Sequence, residues 1–235
     1  MTKVPFWFAH ILEIIRDSAN PEFEERCVAT SGQGIQRFAW QQSSKSIALA
    51  CSQMFLFGRN FIKFPAMLGS VIPSSRFLVN DVLSQVDWQR ARVLVEFGPG
   101  VGTMTREILK RMRPDATLVA IELNREFVSF LQAEIPDPRL RVVHNSAAKV
   151  REVLNELGLH EADYLISGIP YTNMPEAIRR EIIAESKQAL APQGAMLIYQ
   201  FTRTVLPYLE SSFSSVRQGF QPLNILPARI FHCTQ

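Results

Sequence analysis

The chain has few cysteines and no long apolar run, and each of these shortages argues against particular classes of protein. Its three cysteines, Cys27, Cys51 and Cys233, are odd in number and lack C-x-x-C spacing, so neither a disulfide framework nor a zinc site is supported. We predict no bound metal and a cytoplasmic location. The most apolar stretches, Val4–Ile15 and Ile47–Phe57, contain polar residues and fall short of the roughly 20 residues that a membrane-spanning helix needs.

A strong charge of either sign is also missing. The formal net charge is +3, a mild excess of base that permits an anionic partner without selecting nucleic acid or lipid. Hydrophobic residues make up 47% of 235 residues, which is typical of a folded globular chain. This length suits one α/β domain with an appendage.

From residue 92 onward, short β-rich runs alternate with helical patterns, as in βαβ units of a mostly parallel sheet. The predicted strands are Val93–Phe97, Thr117–Glu122, Leu140–His144, Tyr164–Ser167, Ala195–Phe201 and Asn224–His232. The last of these contains Pro227, which favours a position at the edge of the sheet. The predicted helices are 104–112, 125–134, 149–157, 175–190 and 206–213. Residues 1–91 show no strand-like alternation, and we predict there a helical extension that covers the substrate side of a catalytic domain at 92–235.

A glycine-rich turn follows the first predicted strand. Gly98, Gly100 and Gly102 alternate with Pro99 and Val101, and such glycines let the backbone turn tightly and approach a ligand. The G-x-G-x-G spacing differs from the G-x-G-x-x-G that favours a dinucleotide. Carboxylates flank the turn: Glu96 precedes it, and Glu122 ends the next strand, about 20 residues further on, where an acid often binds ribose hydroxyls. A lone glycine turn and a solvated Glu122 remain the alternative interpretation.

These residues resemble the first motifs of the class I S-adenosylmethionine methyltransferases, over Arg92 to about Phe201. The resemblance implies a Rossmann-like fold with a mostly parallel seven-stranded sheet and helices on both faces. It also implies S-adenosyl-L-methionine as cofactor and S-adenosyl-L-homocysteine as product. Asn145 stands where the family usually carries an acid toward adenine. The implied cofactor-binding residues are Glu96, Gly98, Gly100, Gly102, Thr103, Glu122, Leu123, Asn145, Ser146 and Ser167.

A second motif, Ser167-Gly168-Ile169-Pro170-Tyr171, follows the fourth predicted strand at the sheet edge where open α/β domains bind ligands. It is similar to the Asn-Leu-Pro-Tyr motif of ribosomal RNA adenine dimethylases, whose asparagine accepts from the target amino group. Gly168 stands at the asparagine position. The motif at 167–171 is more similar to the Ser-Gly-Leu-Pro motif of bacterial phospholipid N-methyltransferases, which methylate phosphatidylethanolamine toward phosphatidylcholine.

Two more segments resemble the phospholipid enzymes: residues 61–76, with a Pro-x-x-x-Gly-x-x-x-Pro-Ser-Ser pattern from Pro65, and residues 226–231. The resemblance implies a phospholipid substrate and no stable nucleic-acid partner. We predict catalytic roles for Ser167 and Tyr171, the latter through attraction between its ring and a cationic head group. The predicted substrate-binding residues are Lys63, Ser74, Ser75, Arg76 and Tyr171.

Each of these substrate roles has a structural alternative. Tyr171 equally suits simple packing, Ser167 equally suits a strand end, and Ser74 and Ser75 equally suit a helix cap. The aromatic N-terminal helices favour contact with an anionic membrane surface, and a peripheral location on its inner face, unless they pack on the core. An RNA or small-molecule methyltransferase, and a silent cofactor-binding module, remain the competing functions.

Overall fold

The computed structural model describes residues 74–224 and 226–235, so Lys63 and the predicted membrane helices lie outside the described residues. The chain divides into two units, Met1–Pro65 and Ala66–Gln235, and every described residue belongs to the second. Elements are numbered below from the start of the described part.

Seven strands form one sheet in the order β3-β2-β1-β4-β5-β7-β6. The strands are β1 Val93–Phe97, β2 Thr117–Glu122, β3 Leu140–His144, β4 Ala162–Ser167, β5 Leu190–Gln200, β6 Ser215–Gln221 and β7 Ala228–Thr234. The α-helices are α1 Arg76–Leu83, α2 Thr103–Arg111, α3 Arg125–Glu134, α4 Val150–Glu156, α5 Glu176–Ala189 and α6 Leu206–Ser212. Strands β1 to β5 pair in parallel, and β7 pairs antiparallel with both β5 and β6.

Both faces of the sheet are buried, because successive side chains of each central strand point to opposite faces and are mostly apolar on both. Leu94 belongs to a core that includes residues of α1, α2 and α3, and we call this side the α1 face. Val95 belongs to a core that includes residues of α4, α5 and α6, which we call the α5 face. The predicted mostly parallel seven-stranded sheet with helices on both faces is therefore confirmed.

The prediction for the end of the chain was wrong in one respect. The strand predicted at 224–232 spans 228–234 and lies inside the sheet between β5 and β6, with Pro227 just before it. The edge strand is instead β6, which the sequence analysis missed. Most of its residues are exposed and its apolar residues do not alternate regularly, because an edge strand with one neighbour needs no apolar alternation.

Helix α1, the first helix of the described part of the chain, packs on the sheet. Leu78, Val79, Val82 and Leu83 are buried on the α1 face with Leu94. The predicted extension at 1–91 thus includes a helix that packs with the sheet, and the boundary between the two units precedes it.

Candidate active site

The glycine turn between β1 and α2 adopts the conformation that its spacing predicts. Gly98, Gly100 and Gly102 have φ angles of 69°, 56° and 80°, in the left-handed region that glycine enters without strain. A Cβ on Gly98 would lie 2.7 Å from Cγ2 of Ile169, in the second motif. The turn therefore passes close to the 167–171 segment, and the two predicted motifs form one site at the carboxyl edge of the sheet.

Gly102 offers a direct test of this geometry. We expect Gly102→Ala to lower the free energy of unfolding by about 3 kcal/mol, since the left-handed φ costs about 1 kcal/mol and overpacking about 2 more. The added Cβ would lie 2.7 Å from Cδ1 of Ile135 and 2.8 Å from Cδ2 of Leu131. Gly158→Ala is the matched control, because Gly158 has φ +70° with no atom within 4 Å. Urea denaturation of both variants measures the difference, and equal losses would contradict close packing at Gly102.

Glu122 ends β2 and is 6% exposed. Its Oε2 accepts a hydrogen bond from the Gly100 amide at 3.1 Å, and its Oε1 accepts one from the Asn124 amide at 2.9 Å. Burial raises the pKa of this carboxyl, and the backbone donors oppose that shift. Glu122 thus fixes the glycine turn to the loop after β2.

Glu96 lies on β1, 1% exposed. Its Oε2 accepts a hydrogen bond of 2.7 Å from the buried Thr105 hydroxyl on α2. Its Oε1 is buried and has no hydrogen-bond partner in the part of the chain that the structure describes. Burial raises the pKa of Glu96 to about 7. A buried carboxylate oxygen without a partner is costly, and a cationic amine would satisfy it.

Four other predicted cofactor residues lie in the loops after β2 and β3 or directly after the glycine turn. Leu123 is 68% exposed and so offers an apolar surface beside the carboxylate. The backbone amide of Asn145 donates to the backbone carbonyl of Glu122 at 3.2 Å, and the side-chain Oδ1 of Asn145 accepts from the backbone amide of Ser146. Ser146 caps the next turn through Ala148. Thr103 is half-buried and begins α2 directly after the glycines.

Ser167 and Tyr171 do not join this group. Both side chains are fully buried and share a hydrogen bond of 3.1 Å. Tyr171 belongs to the core of the α5 face, whereas Glu96 contacts Thr105 beside α2 on the α1 face. Burial raises the pKa of the Tyr171 hydroxyl. These positions favour the packing and strand-end interpretations over contact with a substrate.

The predicted substrate serines begin α1. The Ser75 hydroxyl caps the helix by accepting from the Leu78 amide at 3.2 Å, and it also donates to the Leu223 carbonyl at 2.7 Å. This is the helix-cap alternative. Arg76 is exposed, with its guanidinium 4.9 Å from the centre of the Phe77 ring. Ser74 instead shares a hydrogen bond with the Tyr199 hydroxyl.

Sequence analysis missed Tyr199, although a polar aromatic residue at the end of the apolar strand β5 was the available signal. A Cβ on Gly168 would lie only 2.1 Å from the Tyr199 hydroxyl oxygen. Next along the strand, Gln200 donates from Nε2 to the Ile169 carbonyl at 2.6 Å. Arg179 of α5 donates to the Tyr171 carbonyl at 3.0 Å. Side-chain donors therefore hold the backbone of the second motif in place.

This geometry, a glycine turn between two buried carboxylates and a Gly-Ile-Pro segment, agrees with a family comparison. The model of the family described as ribosomal RNA adenine dimethylase matches residues 63–231. The chain belongs to this family. It is a methyltransferase of the class I fold that uses S-adenosyl-L-methionine. The unpartnered oxygen of Glu96 and the left-handed glycine turn fit that cofactor, whose amino-acid end carries a cationic amine.

Individual relatives of this family member differ in what their names say they act on. The chain is 29% identical over 181 residues to an ornithine lipid N-methyltransferase of Singulisphaera acidiphila, covering 76% of this chain and 94% of the relative. It is 33% identical over 111 residues to ribosomal RNA small subunit methyltransferase A of Clostridium perfringens. That second match covers 46% of this chain and only 37% of the relative.

Solved structures support the fold. A precorrin-6y C5,15-methyltransferase from Geobacter metallireducens has a TM-score of 0.55 and 18% identity, covering 67% of this chain and 87% of that one. An S-adenosylmethionine-dependent methyltransferase from Aquifex aeolicus gives a TM-score of 0.53 and 13% identity, covering 68% and 90%. Among the described residues, no helix has the length and apolar character to cross a membrane.

Proposed function

We propose that this methyltransferase transfers methyl groups to the amine head group of a membrane lipid, with phosphatidylethanolamine, converted toward phosphatidylcholine, as the predicted acceptor. The observation that carries the proposal is Gly168. By the family resemblance it stands where the ribosomal RNA adenine dimethylases place an asparagine, and a Cβ there would lie 2.1 Å from the Tyr199 hydroxyl oxygen. The similarity to a lipid N-methyltransferase along 94% of that relative supports it.

The chemistry asks mainly for alignment. When bound, S-adenosyl-L-methionine would supply a methyl group on a sulfonium, whose methyl carbon an amine attacks directly while the sulfur leaves as a thioether, without a covalent enzyme intermediate. The chain orients the two reactants and excludes water. The glycine turn gives close backbone approach, Glu122 holds that turn, and the buried Glu96 carboxylate suits a cationic amine.

A ribosomal RNA adenine acceptor is the second candidate, favoured by the family model. In that chemistry a carboxamide acceptor beside the methyl group binds the target amino group of the base. Gly168 supplies no such group. The match to the Clostridium perfringens enzyme covers only 37% of that relative, and the ribosomal RNA methyltransferase of Methylobacillus flagellatus, covered over 71% of its length, is only 23% identical. The nucleic-acid activity therefore has less support than the lipid activity.

Action at the membrane surface is part of the same proposal and is supported by the turn between β6 and β7. The apolar side chains around this turn are 40% to 59% exposed, and we call them the hairpin patch: Phe77, Phe220, Leu223 and Leu226. Arg76 lies over the Phe77 ring and Arg229 over the Phe220 ring, at 4.9 and 5.6 Å. Apolar residues beside cations suit an anionic bilayer interface.

The position of the hairpin patch also suits lipid delivery. Strand β7 begins where β5 ends, with Arg229 paired to Gln200, so the turn lies at the carboxyl edge that holds the glycine turn. The Ser75 bond to the Leu223 carbonyl brings the start of α1 to the same turn. A lipid amine that enters from a bilayer at this patch would therefore need to move only along the carboxyl edge of the sheet to reach the glycine turn.

We expect Leu223→Ser to lower the partition constant for anionic vesicles about fivefold, and the bound fraction by as much where most of the protein is free, because a leucine that enters the interface contributes roughly 1 kcal/mol. Sedimentation with phosphatidylglycerol-containing vesicles measures this fraction. Leu157→Ser is the matched control, since Leu157 is 38% exposed at the end of α4. Equal effects of the two variants would contradict a role for the hairpin patch.

The function itself is tested by incubating the full chain with methyl-labelled S-adenosyl-L-methionine and three acceptors in parallel. These are vesicles containing phosphatidylethanolamine, vesicles containing ornithine lipid, and total ribosomal RNA. Label in either lipid supports the proposal, and the better lipid identifies the head group. Label in RNA alone would overturn it, and label in none would support a silent module.

A further inference from the structure

The hydroxyl of Tyr199 occupies the space of a missing side chain. A Cβ built on Gly168 would lie 2.1 Å from the Tyr199 hydroxyl oxygen and 2.6 Å from its Cζ, well below the separation of non-bonded atoms. A side chain at position 168 and the Tyr199 ring in its present position therefore exclude each other. The functional group that the site presents at this point comes from β5.

The surroundings of this hydroxyl are polar and suited to an amine. It shares a hydrogen bond with the Ser74 side chain, and the Glu96 carboxylate is near enough to act on it electrostatically. One oxygen of Glu96 is buried without a partner. Burial and this carboxylate raise the pKa of Tyr199, so the phenol stays neutral near pH 7 and acts as a hydrogen-bonding group.

The hydroxyl also lies between the two motifs. The Gly168 amide donates to the Phe97 carbonyl at 3.1 Å, which places Gly168 beside the residue that precedes the glycine turn. Ile169 in turn approaches Gly98. A group next to Gly168 on the α1 face is therefore between the turn that binds the methyl donor and the segment that receives the acceptor.

We propose that the Tyr199 hydroxyl positions the acceptor amine for methyl transfer, in place of the carboxamide that base-methylating relatives carry at position 168. This inference rests on the proposed function. The hydroxyl accepts a hydrogen bond from an N–H of the neutral amine, which leaves the nitrogen lone pair aimed at the methyl carbon. As the new N–C bond forms, the C–S bond breaks, sulfur retains its electron pair, and the amine proton passes to water. One hydroxyl is enough to bind a small alkyl amine, but it does not provide the two contacts that would recognise a planar base.

The test is Tyr199→Phe, which removes one oxygen atom. We expect kcat with amino-lipid vesicles to fall tenfold to a hundredfold, while the Kd for S-adenosyl-L-homocysteine, measured calorimetrically, changes less than threefold. Tyr164→Phe is the matched control, because its hydroxyl accepts from the Asp87 amide at 3.0 Å, away from the site. An unchanged kcat would overturn the proposal. So would a loss of affinity for S-adenosyl-L-homocysteine as large as the loss in kcat.

A second measurement separates a positional role from a general structural one. Gly168→Ala should destabilise the wild-type protein, and Tyr199→Val should relieve that loss in the double variant, because the valine leaves space beside position 168. Strictly additive melting shifts would contradict the packing of the two residues. Wild-type transfer to lipid is measured first: its absence means that the proposed function fails, whereas transfer that survives Tyr199→Phe means that this inference alone fails.

Discussion

Replacing Glu122 with alanine is expected to weaken the binding of S-adenosyl-L-homocysteine at least tenfold while the protein remains folded. Both carboxylate oxygens accept backbone hydrogen bonds, one from Gly100 and one from Asn124, so the change frees the glycine turn and the loop after β2 together. By the family resemblance, the same carboxylate also holds the ribose. A charge-assisted hydrogen bond contributes about 1.5 to 3 kcal/mol, and one such bond already corresponds to about tenfold.

Calorimetric titration of the product gives the affinity, and circular dichroism verifies the fold. Glu156→Ala is the matched control, since Glu156 is an exposed carboxylate at the end of α4. It should bind the product as the wild type does. If Glu122→Ala also left the affinity unchanged, Glu122 would be a structural residue of the turn without a part in cofactor binding.

The geometry around the glycine turn could be predicted from sequence because its signals are local. Three glycines at alternate positions permit a left-handed backbone, and Gly98, Gly100 and Gly102 all adopt it. Strand and helix periods located Glu96 and Glu122 at the ends of buried strands. The bounds of β1, β2, β3 and α3 agree with the prediction to the residue, since each combines strong apolar patterning with clear turn residues.

The acceptor half was less accessible because it depends on contacts between distant segments. Gly168 meets Tyr199 across a pair of neighbouring strands, and no periodicity in the chain indicates which residue of β5 reaches that glycine. Tyr171 shows the converse problem. Its place in a motif suggested contact between its ring and a cationic head group, with packing as the alternative, and the chain after Pro170 directs it into the core of the α5 face. Tyr171 lies in the core and Tyr199 lies at the site because the two side chains are on opposite faces of the sheet.

Glu96 leads to the second large effect, a pH dependence of cofactor binding. Its pKa of about 7 in the folded protein means that about half of the molecules carry a protonated Glu96 at neutral pH. We propose that the ionised form binds the cationic amine of the cofactor, so binding below pH 7 must first remove a proton. The product should therefore bind about tenfold more weakly at pH 6 than at pH 8. Glu96→Gln should bind weakly at both values, with a flat profile.

Stability should follow the opposite trend, and this makes the assignment to Glu96 specific. The folded pKa lies above the ordinary value of 4.5, so between about pH 4.5 and 7 the unfolded chain has lost a proton that the folded protein keeps. The ligand-free protein should consequently become less stable as the pH rises through this window, while product affinity increases. The Thr105 bond lowers the pKa of Glu96, and Thr105→Val should shift both profiles to higher pH. A general effect of pH on the fold would change affinity and stability in the same direction, because weaker folding and weaker binding would then share one cause.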